Sequence, residues 1–152
     1  ADGAKLTLAD VNADRAAALA AELGAQTVAS DSIISVEADI FSPCALGAIL
    51  TETSVAGLKV KAVAGGANNQ LATAAQGQQL ADRGIVYAPD YVINAGGIIN
   101  VLRHIDNADD TAINARIDTI PGRLHQIWEE SEASGDTPAQ VADRMAKNLI
   151  GR

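Results

Sequence analysis

Cysteine is almost absent from this chain: Cys44 is the only one among 152 residues. An internal disulfide is therefore excluded, and a single thiol fits a reducing, cytoplasmic setting. Aromatic residues are only 3%, against 48% hydrophobic in all. The apolar mass is mostly Ala, Ile, Leu and Val, which suits alanine-rich helices layered on an aliphatic sheet. Cationic residues are scarce too, with 11 Lys and Arg against 19 Asp and Glu, for a formal net charge of −8. That balance argues against nucleic acid as a partner, because nonspecific binding needs clustered cations. No apolar run approaches the roughly 20 residues of a membrane span. There is no signal-peptide pattern.

What is present is an alternation of short apolar runs and helical patterns, in a chain long enough for one domain with a core. Lys5 to Ala9 reads as a strand ending at Asp10. Asn12 can cap the helix that follows, with Ala16, Leu19, Ala20 and Leu23 on one face, and Gly24 can end it. Further strands are expected at Gln26 to Ala29, Ala38 to Phe41, Val60 to Ala64 and Ile85 to Ala88. Helices are expected at Thr51 to Leu58 and Ala72 to Arg83. Alternation with short connections predicts a parallel sheet with helices on both faces.

The last third changes character. Ile98 to Ile105 reads as helix. Ile113, Ile117, Ile120, Leu124 and Ile127 share one helix face, with a kink or break expected at Pro121-Gly122. Ser131 to Asp136 reads as a polar turn. Thr137-Pro138 opens a final helix with Gln140 at the capping-box position and Val141, Met145 and Leu149 on its apolar face. The organisation expected is a dinucleotide-binding core over 1–106 and a helical segment over 107–152 packing on it.

Chemistry concentrates where strands end. The stretch from Ala88 to Val101 reads as a strand running into a glycine turn, Gly96-Gly97, and then a helix. Asn94 would sit at the carboxyl end of that strand, where open α/β sheets bind ligands. Its amide carries both donors and an acceptor. Asp10 ends another strand, where a carboxylate suits the adenosine ribose hydroxyls of a dinucleotide and repels a 2′-phosphate. An ordinary helix-cap Asp is the plain alternative. Pro43 would fix a turn, with free backbone N–H groups at Cys44 and Ala45 toward a ligand. Cys44 as nucleophile would need a nearby base, and His104 and His125 both fall in the helical tail. No His, Cys and Asp spacing suggests a metal. Asn68 and Asn69 follow a third strand, where turn formation is their commoner role. Together these four strand ends are expected on one edge of the sheet.

The segments LTLADVN, DIFSPCALGAIL, VAGGANNQL and GIVYAPDYVINAGGIINV resemble the nucleotide-binding domain of the Glu/Leu/Phe/Val amino-acid dehydrogenases. The resemblance is nearest to the leucine and phenylalanine dehydrogenase branch. It covers Ala4 to about Val101 and continues more loosely through the tail. It implies a Rossmann-like doubly wound parallel sheet, and reversible oxidative deamination of an L-amino acid to a 2-oxo acid and ammonia with NAD. By this resemblance Asp10 binds the adenosine ribose and Arg15 lies near the adenosine. Cys44 and Ala45 line the cofactor through their backbone, and Ala64 and Asn68 flank the nicotinamide ribose. Asn94 reaches the nicotinamide and the substrate amino group. Ile98 and Val101, with Leu102 beyond, form an apolar wall that suits Leu, Val, Ile or Phe better than Glu. The family also assembles as homo-oligomers.

Departures from the family pattern are as informative. Thirteen glycines are present, yet none forms a G-x-G-x-x-G after a strand. In the 3-2-1-4-5-6 strand order that loop follows the first strand, roughly 20 residues before the acidic residue. Only nine residues precede Asp10. The catalytic Lys and Asp of such enzymes belong to a separate N-terminal domain, and Lys5, Lys59, Lys61 and Lys147 match none of their contexts. The expectation is therefore the cofactor half of a longer enzyme, inert by itself, with apolar edges where the first strand would pair. A stand-alone dinucleotide-binding or regulatory module is the alternative.

Overall fold

The computed structural model describes residues 3–151, without the side chain of Leu102. The chain divides into two compact units, one of Ala1–Glu37 with Gly57–Lys59 and one of Ala38–Ala56 with Val60–Arg152.

In the first unit, β1 (Thr7–Leu8) and β2 (Gln26–Thr27) pair in parallel, with Thr7 opposite Gln26 and Leu8 opposite Thr27. The crossover is α1 (Ala13–Leu23). Asn12 caps it by accepting the Arg15 N–H at 3.0 Å. Gly24 ends it at φ 65°, a left-handed backbone that costs glycine nothing. Ala16 and Ala20, one turn apart, are its buried residues, whereas Leu19 and Leu23 of the expected face are exposed. Methyl-sized contacts let the helix lie close to its strands.

In the second unit, β3 (Ile40–Phe41), β4 (Ala62–Val63) and β5 (Val86–Tyr87) form a parallel sheet in that order. The register places Phe41 beside Val63 and Val63 beside Tyr87, and all three are buried. Helices α2 (Glu52–Gly57) and α3 (Ala74–Asp82) connect the strands. Val55 and Leu80 are fully buried, each worth about 1.5–3 kcal/mol of burial. A complete capping box, Thr73 with Gln76, starts α3.

Among the described residues the strands form two separate ladders, β1-β2 and β3-β4-β5. Ile40 of β3 is 58% exposed, although strands of parallel sheets are normally covered on both faces.

Two further helices follow β5, α4 (Asp90–Ile93) and α5 (Gly96–Ile105). Next come α6 (Asp110–Ile117), α7 (Ile120–Ser134) and α8 (Pro138–Ile150). The break in the isoleucine face falls at Asp118-Thr119, before Pro121 rather than at it. Pro121 sits in the first turn of α7, where its missing N–H costs no hydrogen bond. Ser131 to Ser134 are helical, and the turn is confined to Gly135 and Asp136, because Gly135 takes the left-handed cap at φ 78°. The Thr137–Gln140 capping box opens α8 as its spacing predicts. Val141 and Ala142 of α8 pack with Ile127 of α7, joined by Met145 and by Val92 of α4. Leu149 departs from the expected packed face and is 75% exposed, since it lies in the last turn beyond α7. No described helix is long and apolar enough to cross a membrane.

Candidate functional site

Three loops follow the parallel strands of the second unit; backbone hydrogen bonds fasten the first two to each other, and side chains of Asp90 and Asn94 tie in the third. The Ala67 N–H donates to the Pro43 carbonyl at 2.8 Å, and the Ala48 N–H to the Asn69 carbonyl at 2.6 Å. Glycine makes this close approach feasible at two places. A Cβ on Gly65 would overlap the Pro43 backbone, and one on Gly47 would stand 2.9 Å from the Asn68 carbonyl oxygen. Pro43 itself is fully buried.

Asn94 does not end a strand, as its sequence context suggested. β5 stops at Tyr87, and the Ala88 N–H makes the last ladder bond, to the Val63 carbonyl at 2.9 Å. Pro89 has no N–H to continue pairing, and its φ of −54° starts α4 instead. Asn94 is the C-cap of that single turn, its N–H bonded to the Asp90 carbonyl at 2.8 Å. Nor do Gly96 and Gly97 form a turn. They open α5 with ordinary helical backbone, and space beside both is open within 4 Å of where a Cβ would stand.

The Asn94 side chain nevertheless reaches the neighbouring loop. Its Nδ2 donates to the Ala67 carbonyl at 2.9 Å and lies 3.5 Å from Asn68 Oδ1. With Nδ2 held there, Oδ1 is the atom left to accept from a ligand. Cys44 and Ala45 are exposed, and their backbone N–H groups make no hydrogen bond among the described residues. Cys44 Sγ lies 3.6 Å from the Ser42 hydroxyl. The Ala64 N–H is engaged, donating to the Phe41 carbonyl at 3.0 Å. Asn68 is exposed beside it in sequence on the same loop. These five residues belong to one edge of one sheet, the carboxyl end of β3-β4-β5.

Asp10 and Arg15 belong to the other unit. They follow β1, and both are exposed. Asp10 Oδ1 accepts the Asn12 N–H at 2.8 Å, so the carboxylate does serve the turn into α1, with its second oxygen toward solvent. The four strand ends therefore divide between two ladders instead of lining one. Ile98 and Val101 lie on α5, 68% and 45% exposed, with Ile105 continuing their stripe. The Leu102 side chain lies outside the described residues.

Two residues that sequence reasoning passed over hold this edge together. Asp90, in the first turn of α4, accepts the Asn69 N–H with Oδ2, and Tyr87 donates its hydroxyl to Oδ1 at 3.4 Å. Asn69 is held at φ 52°, a conformation asparagine tolerates better than most residues. Gln70 is completely buried, and its Nε2 donates to the carbonyls of Gly65 at 2.8 Å and Ala67 at 2.9 Å. The Pro-Asp pair after a strand hinted at the first. Nothing in the sequence marked the second, because glutamine is ordinarily a surface residue.

The helical tail anchors the same edge. Trp128 of α7 donates from Nε1 to the Tyr87 carbonyl at 2.8 Å. Tyr91 of α4 donates its hydroxyl to Asp143 of α8 at 2.9 Å. Burial, with Asp90 nearby, pushes the Tyr87 hydroxyl well above its ordinary range, and burial with the Asp143 bond does the same for Tyr91. His104 and His125 are exposed, and His125 faces Glu129 at 3.2 Å. Among the described residues no group of His, Cys, Asp and Glu could hold a metal.

Residues 4–146 match the profile of the family described as Glutamate/Leucine/Phenylalanine/Valine dehydrogenase. A leucine dehydrogenase from Thermoactinomyces intermedius is 43% identical over 98% of the chain, which spans 41% of that protein. A valine dehydrogenase from Streptomyces albus is 41% identical over 99% of the chain, which spans 42% of it. The crystal structure of L-tryptophan dehydrogenase from Nostoc punctiforme superposes with a TM-score of 0.92 at 38% identity, covering 97% of the chain and 45% of that structure. The fold is thus the Rossmann-like α/β arrangement expected from the motifs.

Proposed function

The chain belongs to the glutamate/leucine/phenylalanine/valine dehydrogenase family, and we propose that it is the cofactor-binding part of an NAD-dependent enzyme deaminating an apolar L-amino acid. The reaction converts the amino acid, NAD⁺ and water into the 2-oxo acid, ammonium, NADH and a proton. The observation that carries this reading is the fastened edge after β3, β4 and β5. Free N–H donors at Cys44 and Ala45 and the unshared Oδ1 of Asn94 lie on segments joined by hydrogen bonds.

These residues fit a dinucleotide. Bound NAD⁺ supplies the hydride acceptor. The N–H groups of Cys44 and Ala45 suit the oxygens of its ribose or phosphates, and Ala64 and Asn68 flank the nicotinamide ribose. Asn94 Oδ1 accepts from the nicotinamide carboxamide or the substrate amino group. Asp10 keeps an exposed oxygen for the ribose hydroxyls of adenosine, with Arg15 one helical turn on. Its negative charge selects against a 2′-phosphate, hence NAD over NADP. Ile98 and Val101 supply apolar surface for Leu, Val, Ile or Phe. The general base and its partner carboxylate belong to the part of the relatives that this chain does not span. Homo-oligomeric assembly is part of the same proposal, since the family resemblance implies it.

The test is an assay of the full protein carrying this chain, following NADH at 340 nm. Leucine, valine, isoleucine or phenylalanine should support reduction of NAD⁺ far better than glutamate, and NADP⁺ should substitute poorly. Cofactor binding without reduction by any amino acid would instead make it a dinucleotide-binding module.

A further inference from the structure

The Ala67 carbonyl accepts two side-chain amides at once. Asn94 Nδ2 and Gln70 Nε2 both reach it at 2.9 Å. Asn94 comes from the half-buried end of α4. Gln70 comes from beneath, with no exposed surface at all. Its second Nε2 hydrogen goes to the Gly65 carbonyl at 2.8 Å, so both donors are spent on one loop. The amide orientation follows from these partners: exchanging its oxygen and nitrogen would set an acceptor against two carbonyls. Its own Oε1 is buried without a partner among the described residues. An apolar residue here would spare Oε1 that desolvation but would take the donors from the Gly65 and Ala67 carbonyls, so the role of glutamine lies in what those two bonds fix.

We infer that Gln70 is a positioning residue for the site: it fixes the Ala67 carbonyl, and through that carbonyl turns Asn94 so that Oδ1 faces the ligand. Without the Gln70 donors the Gly65 carbonyl loses the side-chain donor that reaches it, and the Ala67 carbonyl is left with Asn94 Nδ2 as its side-chain donor, beside the Ala67 N–H bond to Pro43. Asn94 then bonds a carbonyl that can turn with it, and Oδ1 is no longer held toward the ligand. Gln70 touches neither cofactor nor substrate. Its effect on turnover therefore rests on the dehydrogenase reading above, while its effect on Asn94 does not.

A double-mutant cycle in the full protein separates positioning from support of the fold. Gln70→Met, of similar length but without donors, should lower kcat/KM about tenfold or more on its own, for a loss near 1.4 kcal/mol. In an Asn94→Ala background the same change should cost less than about twofold, because the group it orients is gone. Equal losses in the two backgrounds overturn the inference. If Gln70→Met does not fold, Gln70→Glu replaces it. The new carboxyl can donate to one of the two carbonyls, and only while protonated, so activity should fall with rising pH where the parent protein's does not. A pH profile unchanged from the parent, or failure of both variants to fold at any pH, makes Gln70 structural only.

A second readout does not need activity. In ¹⁵N-labelled protein the Asn94 side-chain amide should exchange slowly, and Gln70→Met or Gln70→Glu at high pH should speed its exchange. Unchanged exchange overturns the inference. An inert protein that still shows the coupling would instead refute the dehydrogenase reading.

Discussion

Gly65 lies directly against Pro43, with no room for a Cβ between them. Two strand-end loops are thereby held at backbone contact, and the Ala67 N–H to Pro43 carbonyl bond closes beside them. Gly65→Ala forces the loops apart. We expect a loss of about 1–3 kcal/mol of stability or more, as for overpacked cores, measured by urea denaturation. Cofactor affinity should fall with it. Gly66→Ala is the control, because its nearest neighbour would be the Cys44 sulfur at 3.8 Å and the space accepts a methyl group.

Asn94→Ala removes both the anchor on Ala67 and the free acceptor. Loss of a polar contact of this kind costs about 1–3 kcal/mol, or roughly 5- to 150-fold in kcat/KM. Asn94→Asp keeps the shape but sets a carboxylate oxygen against the Ala67 carbonyl, so it should not rescue. Steady-state kinetics of the full protein decide between them, and near-parental activity in Asn94→Asp would remove the amide donor from the account.

The chain has two tyrosines, and both hydroxyls resist ionisation. For an acid whose folded-state pKa is raised, no stability is at stake below the unfolded value of 10.0. Above it the unfolded chain releases protons that the folded chain retains, so stability declines as pH rises. Absorbance at 295 nm should stay low through pH 10 and then rise together with loss of far-UV ellipticity. Ionisation of both tyrosines near pH 10 in folded protein would contradict the buried Tyr87–Asp90 contact.

Thr137 is buried and caps α8 by accepting the Gln140 N–H at 3.3 Å, while Gln140 returns a bond to the Thr137 N–H at 2.8 Å. Thr137→Ala should cost about 1 kcal/mol, whereas Thr137→Ser should cost little. Trp128 supplies the probe: its Nε1 bond to Tyr87 ties α7 to β5, so its fluorescence follows the docking of the tail.

Local chemistry accounts for what could be read from the sequence. Asn12, Gly24, Thr73 and Thr137 mark helix ends because capping involves residues within one turn of each other. The parallel strands were legible from short apolar runs alternating with helices. The family was legible from four ordered motifs. Strand ends were harder. Ala88 to Asn94 reads as extended, yet Pro89 and Asp90 start a helical turn, and Asp90 gains from the distant Asn69 N–H it accepts.

By itself, then, the sequence determined the alternating elements, their caps and the polar residues available at strand ends, since all of these depend on neighbours along the chain. Tertiary structure alone decided which of those residues meet. It assigned Asp10 to one ladder and Asn94 to another, set Gly65 on Pro43, and buried Gln70 beneath Ala67. The contacts of Gly65 with Pro43 and of Asn94 with Ala67 rest on parallel register and close packing between segments distant in the chain, which no local pattern encodes.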